Sequence, residues 1–116
     1  MKTTLDELTQ LAIEFRDERD WKQFHNPKDM ALSLSLESAE LLELMQWKNG
    51  EELMQHLKQK HDLMGEELAD VLFWVLAMSH DFGIDLGDAF RKKIENNRRK
   101  YPIEKSKGVS TKYTEL

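Results

Sequence analysis

Helix-breaking residues are rare in this chain, and their rarity limits the folds open to it more than any other feature does. Only two prolines and five glycines occur among its 116 residues. Leucine, glutamate, lysine, methionine and alanine are abundant, β-branched residues are few, and this composition favours helix over strand. The length fits one domain with a modest core. The sequence therefore predicts an all-α domain whose four to five helices pack in a bundle-like fold.

Capping signals place the first two helices. Thr4 followed by Glu7 has the form of a capping box, in which the two residues satisfy each other's backbone amides at a helix start. Asn26 stands before a proline, the usual order of an N-cap and a first helical residue. The second helix is expected to run to about Trp47, because the Lys-Asn-Gly sequence at 48–50 can adopt the left-handed conformation that ends helices.

A third helical region covers residues 51 to about 80, with a break expected near 59–62. The stretch from 68 to 78 is apolar at nearly every position except Asp70. A helix that is apolar on all sides is normally buried. We therefore expect this stretch to lie buried between several helices.

The last part of the chain divides at a proline. Asp85 can cap a fourth helix that ends before Pro102, and Gly83 can end the helix before it. Residues 103–116 are polar. The predicted organisation is thus one domain over residues 1–102, followed by a polar C-terminal tail over 103–116.

Charge and composition exclude several classes of protein. The net charge is −5, but the stretch 91–101 holds six basic residues and one acidic residue, so it carries +5 and the remainder carries −10. An acidic protein is a poor non-specific ligand for nucleic acid. No apolar run reaches the roughly 18 residues of a membrane span, the N-terminus lacks an apolar signal segment, and the absence of cysteine excludes disulfides and thiolate metal sites. We expect a cytoplasmic protein without nucleic-acid or membrane partners.

Two acidic motifs carry the strongest chemical signal. Glu37 and Glu40 form one pair, and Glu67 and Asp70 form another. Residues three apart are neighbours on a helix surface, so each motif sets two carboxylates side by side. Either motif alone is more often a solvated helix face. Together they lie in the most apolar helices of the chain, where a hard divalent cation such as Mg²⁺ or Mn²⁺ would offset repulsion and burial.

Aromatic residues accompany both pairs. Trp74 follows Asp70 by four residues and Trp47 follows Glu43 by four, so on continuous helices each tryptophan shares a face with carboxylates. Stacking on a nucleobase and ordinary core packing are both consistent with this spacing.

Basic and polar residues near the end of the fourth helix could contact phosphate. Lys93 and Asn97 are four apart and share a face, with Arg98 and Tyr101 close by. A solvated basic face at a helix C-terminus is an equally good reading of that pattern. His25, just before the second helix, could hydrogen-bond a base or a phosphate. A purely structural role in the loop is equally consistent with its position.

The order and spacing of these motifs resemble the MazG-type all-α nucleoside triphosphate pyrophosphohydrolases, and in particular their dCTP pyrophosphatase-like branch. The resemblance extends from about Leu5 to Tyr101. Its motifs are Phe24-His25-Asn26-Pro27, Glu37-Ser38-Ala39-Glu40-Leu41-Leu42-Glu43, Gln46-Trp47-Lys48, Glu66-Glu67-Leu68-Ala69-Asp70-Val71-Leu72 and Asn97-Arg98-Arg99-Lys100-Tyr101-Pro102.

This resemblance implies a function that composition alone could not give. It implies a Mg²⁺-dependent enzyme, with Mn²⁺ as a substitute, that hydrolyses nucleoside triphosphates such as dCTP or a modified dCTP to the monophosphate and pyrophosphate. It also implies a homodimer or homotetramer. The implied metal ligands are Glu37, Glu40, Glu67 and Asp70, with Glu37 or Glu40 as the proton acceptor. The implied substrate-binding residues are His25, Trp47 and Trp74 at the base and sugar, and Lys93 and Asn97 at the phosphates. Arg98, which could hold charge on the leaving pyrophosphate, and Tyr101 are further candidate substrate-binding residues.

Three alternatives stay open at the level of sequence. The same reaction could have a broad or different base specificity. The fold could serve as a non-catalytic helical adaptor, although the intact set of four carboxylates argues against a decayed enzyme. A plain helical interaction module would show no effect of nucleotide or metal ions on its melting temperature.

Overall fold

The computed structural model describes residues 2–116, and the prediction of an all-α fold is confirmed over them. They form helices and two short 3₁₀ turns, with no strand. The chain divides after Gly83 into two compact units. The described helices are α1 (Leu5–Glu18), α2 (Pro27–Glu43), α3 (Gly50–Gln59), α4 (His61–Asp81), α5 (Leu86–Lys100) and α6 (Ile103–Ser106).

The first unit is built around α4, which packs against α2, α1 and α3. Its interior is small. The buried hydrophobic side chains of the described residues are Ala12 on α1, Met30 on α2, and Leu76 and Ala77 on α4. These residues mark where the three longest helices of the unit meet, and they fix α2 and α4 side by side.

The predicted helix starts are confirmed by their capping bonds. The Thr4 hydroxyl accepts a hydrogen bond from the Glu7 amide at 3.2 Å. Asn26 Oδ1 accepts from the Asp29 amide at 2.9 Å, with proline at the first helical position. The break between α3 and α4 also falls where the sequence predicted it, because α3 ends at Gln59.

The predicted end of α2 was wrong. The helix ends at Glu43, about one turn earlier than expected. Met45 donates to the Leu42 carbonyl and Gln46 to the Glu43 carbonyl, so bonds between residues three apart replace the α-helical pattern. Trp47 then adopts a φ of 69°, and its side chain is 87% exposed. Trp47 therefore does not continue the face of α2 that carries Glu40.

The prediction that residues 68–78 lie buried between several helices was only partly right. Leu76 and Ala77 are buried, but Leu68 is 50% exposed and Leu72 is 36% exposed. The first unit supplies neighbours for one side of α4, and the opposite side keeps apolar residues at the surface.

The second unit consists of α5 and the segment that follows it. Asp85 caps α5 as predicted, since its carboxylate accepts a bond from the Asp88 amide at 3.0 Å. After α6, the 3₁₀ turn Tyr113–Glu115 brings the ring of Tyr113 to 5.8 Å from that of Tyr101. The boundary between a catalytic domain over 1–102 and a tail over 103–116 stays a prediction. Within the described part of the chain, every helix is too short or too polar to cross a membrane.

Candidate metal centre and nucleotide cavity

The packing of α2 against α4 brings the two acidic motifs together. Glu37 and Glu40 are one turn apart on α2, and Glu67 and Asp70 are one turn apart on α4. One carboxylate oxygen from each of the four residues lies within 4.8 Å of the others. We call this set the acidic cluster. Carboxylates from two separate helices thus converge on one point, which neither motif could achieve alone.

The cluster is partly withdrawn from water. Glu37 and Glu67 are half-buried, whereas Glu40 and Asp70 are exposed. In the described chain, Glu37 Oε2 and Glu67 Oε2 are buried and have no hydrogen-bond partner. A buried carboxylate oxygen without a partner is costly. The two inner glutamates, Glu37 and Glu67, therefore lack the hydrogen-bond donors or cations that normally offset the cost of burying a carboxylate.

Both inner glutamates hold their protons more tightly than an ordinary glutamate. Burial raises the pKa of Glu37, and the negative charge of Glu40 raises it further. Burial likewise raises the pKa of Glu67, again with Glu40 as the strongest neighbouring charge. The cluster is thus electrostatically unfavourable when all four groups are ionised.

A divalent cation fits this arrangement. It would supply the partner that the two buried oxygens lack and would offset the mutual repulsion of the four carboxylates. The donors are all carboxylate oxygens, which suit hard cations such as Mg²⁺ and Mn²⁺ better than softer metals. The buried oxygens without partners and the all-carboxylate set of donors both indicate a hard divalent cation.

A largely apolar cavity of about 480 Å³ adjoins the cluster and shares Glu37 and Asp70 with it. Among the described residues that line it, the other side chains with polar atoms are the imidazole of His25 and the indoles of Trp21 and Trp74. Pockets that bind flat organic ligands are typically apolar with a few placed polar groups. The remaining lining residues are Leu8, Leu11, Ala12, Phe15, Trp21, Ala69, Leu72, Phe73, Trp74 and Leu76.

Five rings in the cavity wall form a continuous series of ring–ring contacts. Phe15 meets Trp21 at a centroid distance of 5.6 Å and Phe73 at 6.1 Å. Phe73 meets Trp74 at 5.1 Å, and Trp74 meets the His25 imidazole at 5.0 Å. We call this chain of contacts the aromatic wall. Rings held by several neighbours can present a fixed surface to a nucleobase.

His25 is the polar member of the aromatic wall. Burial lowers the pKa of its imidazole, and the positive charge of Arg16 lowers it further. Both effects favour the neutral imidazole. Its Nδ1 atom is buried and has no hydrogen-bond partner among the described residues.

The structure brings together some of the predicted site residues and leaves others apart. His25 and Trp74 line the cavity beside Glu37 and Asp70. Glu40 and Glu67 line an adjacent recess of about 360 Å³. Trp47 is not among the residues that line the cavity. Its role in the base pocket stays a prediction.

The remaining predicted substrate-binding residues belong to the second unit. Lys93, Asn97 and Arg98 lie on α5, and Tyr101 follows its last residue. Arg98 Nη1 donates to the Glu95 carboxylate at 2.9 Å. The assignment of these four residues to substrate binding stays a prediction.

Sequence reasoning missed three members of the aromatic wall: Phe15, Trp21 and Phe73. Phe15 and Phe73 fit the ordinary pattern of core positions on amphipathic helices, so nothing marked them as cavity residues. Trp21 lies in the short loop after α1, where no periodic pattern applies. Its only signal was the presence of a large aromatic residue in a charged loop.

Comparison with known proteins agrees with this geometry. Residues 32–116 match the MazG-like family. The chain belongs to the MazG-like family. It is 40% identical to dCTP pyrophosphatase 1 of Bos taurus and 42% identical to that of Homo sapiens, in each case over 97% of this chain and 68% of the relative.

A solved structure extends the agreement to three dimensions. The crystal structure of a pyrophosphatase from Archaeoglobus fulgidus superposes with a TM-score of 0.81 at 39% sequence identity, covering 88% of this chain and 95% of the archaeal one. The prediction that this MazG-like chain is a pyrophosphohydrolase is thereby confirmed.

Proposed function

We propose that this protein is a divalent-cation-dependent pyrophosphohydrolase that cleaves dCTP, or a modified dCTP, to the monophosphate and pyrophosphate. The observation that carries the proposal is the convergence of four carboxylates within 4.8 Å, directly beside an aromatic cavity. A cation site next to a cavity lined by aromatic rings matches the two ends of a nucleotide. The names of the mammalian relatives support dCTP as the first substrate to test.

The acidic cluster would hold the metal through Glu37, Glu40, Glu67 and Asp70. Bound Mg²⁺ would neutralise charge on the triphosphate and make a water molecule more acidic. In the hydrolysis, the water oxygen forms a bond to the α-phosphorus, and the bond from that phosphorus to the oxygen bridging to the β-phosphorus breaks. Glu37 or Glu40 accepts the proton of the water, and pyrophosphate leaves.

The aromatic wall would bind the base. Trp74 offers a ring face, and base–aromatic stacking contributes about 1–3 kcal/mol per base in other proteins. His25 adds one hydrogen-bonding group to a surface that is otherwise nearly apolar. The neutral state of its imidazole suits a neutral base better than a charged ligand.

We assign the triphosphate to Lys93, Asn97, Arg98 and Tyr101 in the second unit. Their support is chemical: two cations, an amide and a phenol occur within one short stretch. Basic side chains stabilise the charge that develops on a pyrophosphate leaving group. The assignment also follows the resemblance of these positions to the family motif.

We also propose that the protein self-associates as a homodimer or homotetramer. The interior of the described chain is small, whereas many large apolar side chains lie at its surface. Exposed fractions reach 61% for Leu11, 64% for Phe24 and 68% for Leu42. Large exposed apolar surfaces usually mark an interface. Light scattering coupled to gel filtration would measure the mass, and a monomer at micromolar concentration would contradict the proposal.

Product analysis tests the proposed reaction. The protein and Mg²⁺ are incubated with each common NTP and dNTP, and the products are separated by ion-exchange chromatography. We expect dCMP and pyrophosphate from dCTP, and no product after EDTA is added. Formation of a diphosphate and orthophosphate would contradict the reaction, and turnover of every nucleotide at the same rate would contradict the preference for cytosine.

A negative result in that panel would have a defined next step. The same assay with base-modified dCTP analogues tests the narrower specificity. If those also fail, cytosine nucleotides are not the substrate, and the alternative of a different base specificity is tested next by thermal melts with other nucleotides. A nucleotide at 100 times its Kd stabilises a protein by about 2.7 kcal/mol, whereas a non-catalytic adaptor would show no rise in melting temperature with Mg²⁺ or any nucleotide.

A further inference from the structure

A buried ion pair lies behind the aromatic wall. The Arg16 side chain on α1 is 1% exposed, and its Nη1 atom donates to Asp81 Oδ2 at 2.7 Å. Asp81 is the last residue of α4 and is itself nearly buried. The pair thus joins the C-terminal ends of two helices that both contribute rings to the cavity. Neither Arg16 nor Asp81 lines the cavity itself.

The backbone of Arg16 also holds the loop that carries two rings of the aromatic wall. Its carbonyl accepts a hydrogen bond from the Trp21 amide at 3.2 Å. The Trp21 carbonyl then accepts from the Phe24 amide at 3.0 Å, and the His25 amide donates to the Lys22 carbonyl at 2.9 Å. The first bond anchors Trp21 to Arg16, and the other two close the turn between Trp21 and His25. The position of Arg16 therefore fixes where the Trp21–His25 loop begins.

Several polar atoms around the pair remain without hydrogen bonds. Arg16 Nε lies 3.5 Å from the Asp17 carboxylate but makes no hydrogen bond, and Asp81 Oδ1 and His25 Nδ1 are buried without partners in the described chain. Replacing a buried ion pair with apolar residues of similar volume is often neutral or stabilising. An incompletely satisfied pair is therefore weak evidence for stability. The geometry that the pair imposes on α1, α4 and the loop is the alternative role.

We propose that the Arg16–Asp81 ion pair is a positioning device that fixes the Trp21–His25 loop against α4 and so sets the width of the base-binding cavity. Arg16 acts through the loop and does not touch substrate. As far as it concerns nucleotide binding, the inference rests on the proposed function. It adds to that function a pair of residues, outside the cavity, that determine how well the base fits.

The decisive variant replaces both charges with apolar side chains. Arg16→Met/Asp81→Leu removes the pair without leaving a lone buried charge, so we expect the fold and melting temperature to be retained. If the pair positions the loop, the KM for dCTP rises several-fold, up to the roughly 10-fold expected when base stacking itself is lost, while kcat changes far less. A double variant with wild-type KM would overturn the proposal.

Single variants and a surface control separate positioning from stability. Arg16→Met leaves Asp81 buried and unpaired, so it should lower the melting temperature as well as raise KM. Arg16→Lys keeps the charge and should recover part of the KM. The control is Lys92→Met/Asp88→Leu, which removes an exposed ion pair of 3.0 Å on α5. It should leave both KM and melting temperature unchanged, and an equal KM change there would overturn the specific role of Arg16.

A readout without turnover keeps this inference distinct from the proposed function. NOEs between the rings of His25 and Trp74, whose centroids lie 5.0 Å apart, report where the loop sits against α4 in the protein alone. We expect these NOEs to weaken in Arg16→Met/Asp81→Leu and to persist in the control variant. If the wild type hydrolyses no nucleotide, the proposed reaction fails, whereas NOEs of unchanged intensity in the double variant would overturn the positioning role.

Discussion

The acidic cluster and the aromatic wall meet at the same face of α4. The side chains of the wall attract one another, whereas those of the cluster repel one another. The rings of the wall contact one another favourably, from Trp21 through Phe15, Phe73 and Trp74 to His25. The carboxylates of the cluster repel one another, and two of their oxygens are buried without partners. Packing explains the wall, whereas the proposed cation would offset the repulsion within the cluster.

This difference separates two kinds of evidence for function. A cavity lined by packed rings exists whether or not the protein binds anything, so by itself it says little about chemistry. A cluster that is unfavourable on its own persists because something else compensates for it. The cation proposal therefore depends on the cluster, and the base specificity depends on the wall. The two can be tested separately.

The largest expected effect comes from breaking the cluster. Glu40→Gln keeps the shape of the side chain but removes one charge, so we expect kcat/KM for dCTP to fall more than about 100-fold, as for lost groups that stabilise transition-state charge. The melting temperature without metal should not fall, because a repulsive charge is removed. Steady-state kinetics and thermal melts measure the two effects.

A matched acid elsewhere controls for the loss of charge. Glu51 on α3 is exposed and lies outside the cluster. Glu51→Gln should retain full activity. Full activity in Glu40→Gln would show that the cluster has been wrongly assigned.

The next largest effect comes from breaking the wall. Trp74→Leu removes the stacking face and should raise the KM for dCTP about 10-fold, in keeping with the energy of base stacking. The value of kcat should change less, because the carboxylates are untouched. The same KM as in the wild type would exclude Trp74 from base binding.

Trp47 makes an informative companion to Trp74. The resemblance assigns it to the base pocket, but in this chain it is 87% exposed and outside the cavity. We expect Trp47→Leu to raise KM only if a second copy of the chain completes the pocket. An unchanged KM in a confirmed dimer would remove Trp47 from the binding site.

A smaller effect distinguishes the cluster from a merely acidic surface. Glu37→Gln removes one of the buried charges, so the metal-free protein should melt at a higher temperature. Saturating Mg²⁺ should raise the melting temperature of the wild type by roughly 10 °C, from about 2.7 kcal/mol of binding energy, and that of Glu37→Gln much less. Equal Mg²⁺ shifts in the two proteins would contradict the ligand role of Glu37.

The smallest effect is the pH dependence of the metal-free protein. The pKa values of Glu37 and Glu67 are raised in the folded state, so the folded protein binds these protons more tightly than the unfolded chain does. Their contribution to stability is therefore complete below the ordinary glutamate pKa and is lost as pH rises through the raised values. Thermal melts of the wild type should show this decrease, and Glu37→Gln should show less of it.

Much of the fold was predictable because its helix starts carry short local signals. The caps at Thr4, Asn26 and Asp85 each depend on one side chain and an amide three residues away, and all three were found. The end of α2 was missed because it depends on a tightened turn at residues 44–47, where the sequence continues to favour helix. Local propensity does not show where a turn tightens.

The candidate site was predictable in part, for a similar reason. The acidic motifs could be read from spacing alone, since residues three apart always adjoin on a helix. Their convergence depends on how α2 packs against α4, and the sequence alone does not fix that packing. Trp21 and the Arg16–Asp81 pair were not found because they depend on contacts between distant parts of the chain.

The most direct test of the central claim is hydrolysis of dCTP in ¹⁸O-labelled water at increasing Mg²⁺, followed by mass spectrometry of both products. Attack at the α-phosphorus, supported by a cation at the acidic cluster, predicts one ¹⁸O atom in dCMP, none in pyrophosphate, and no reaction without a divalent cation. Label in the pyrophosphate, or hydrolysis that proceeds unchanged in EDTA, would contradict the account.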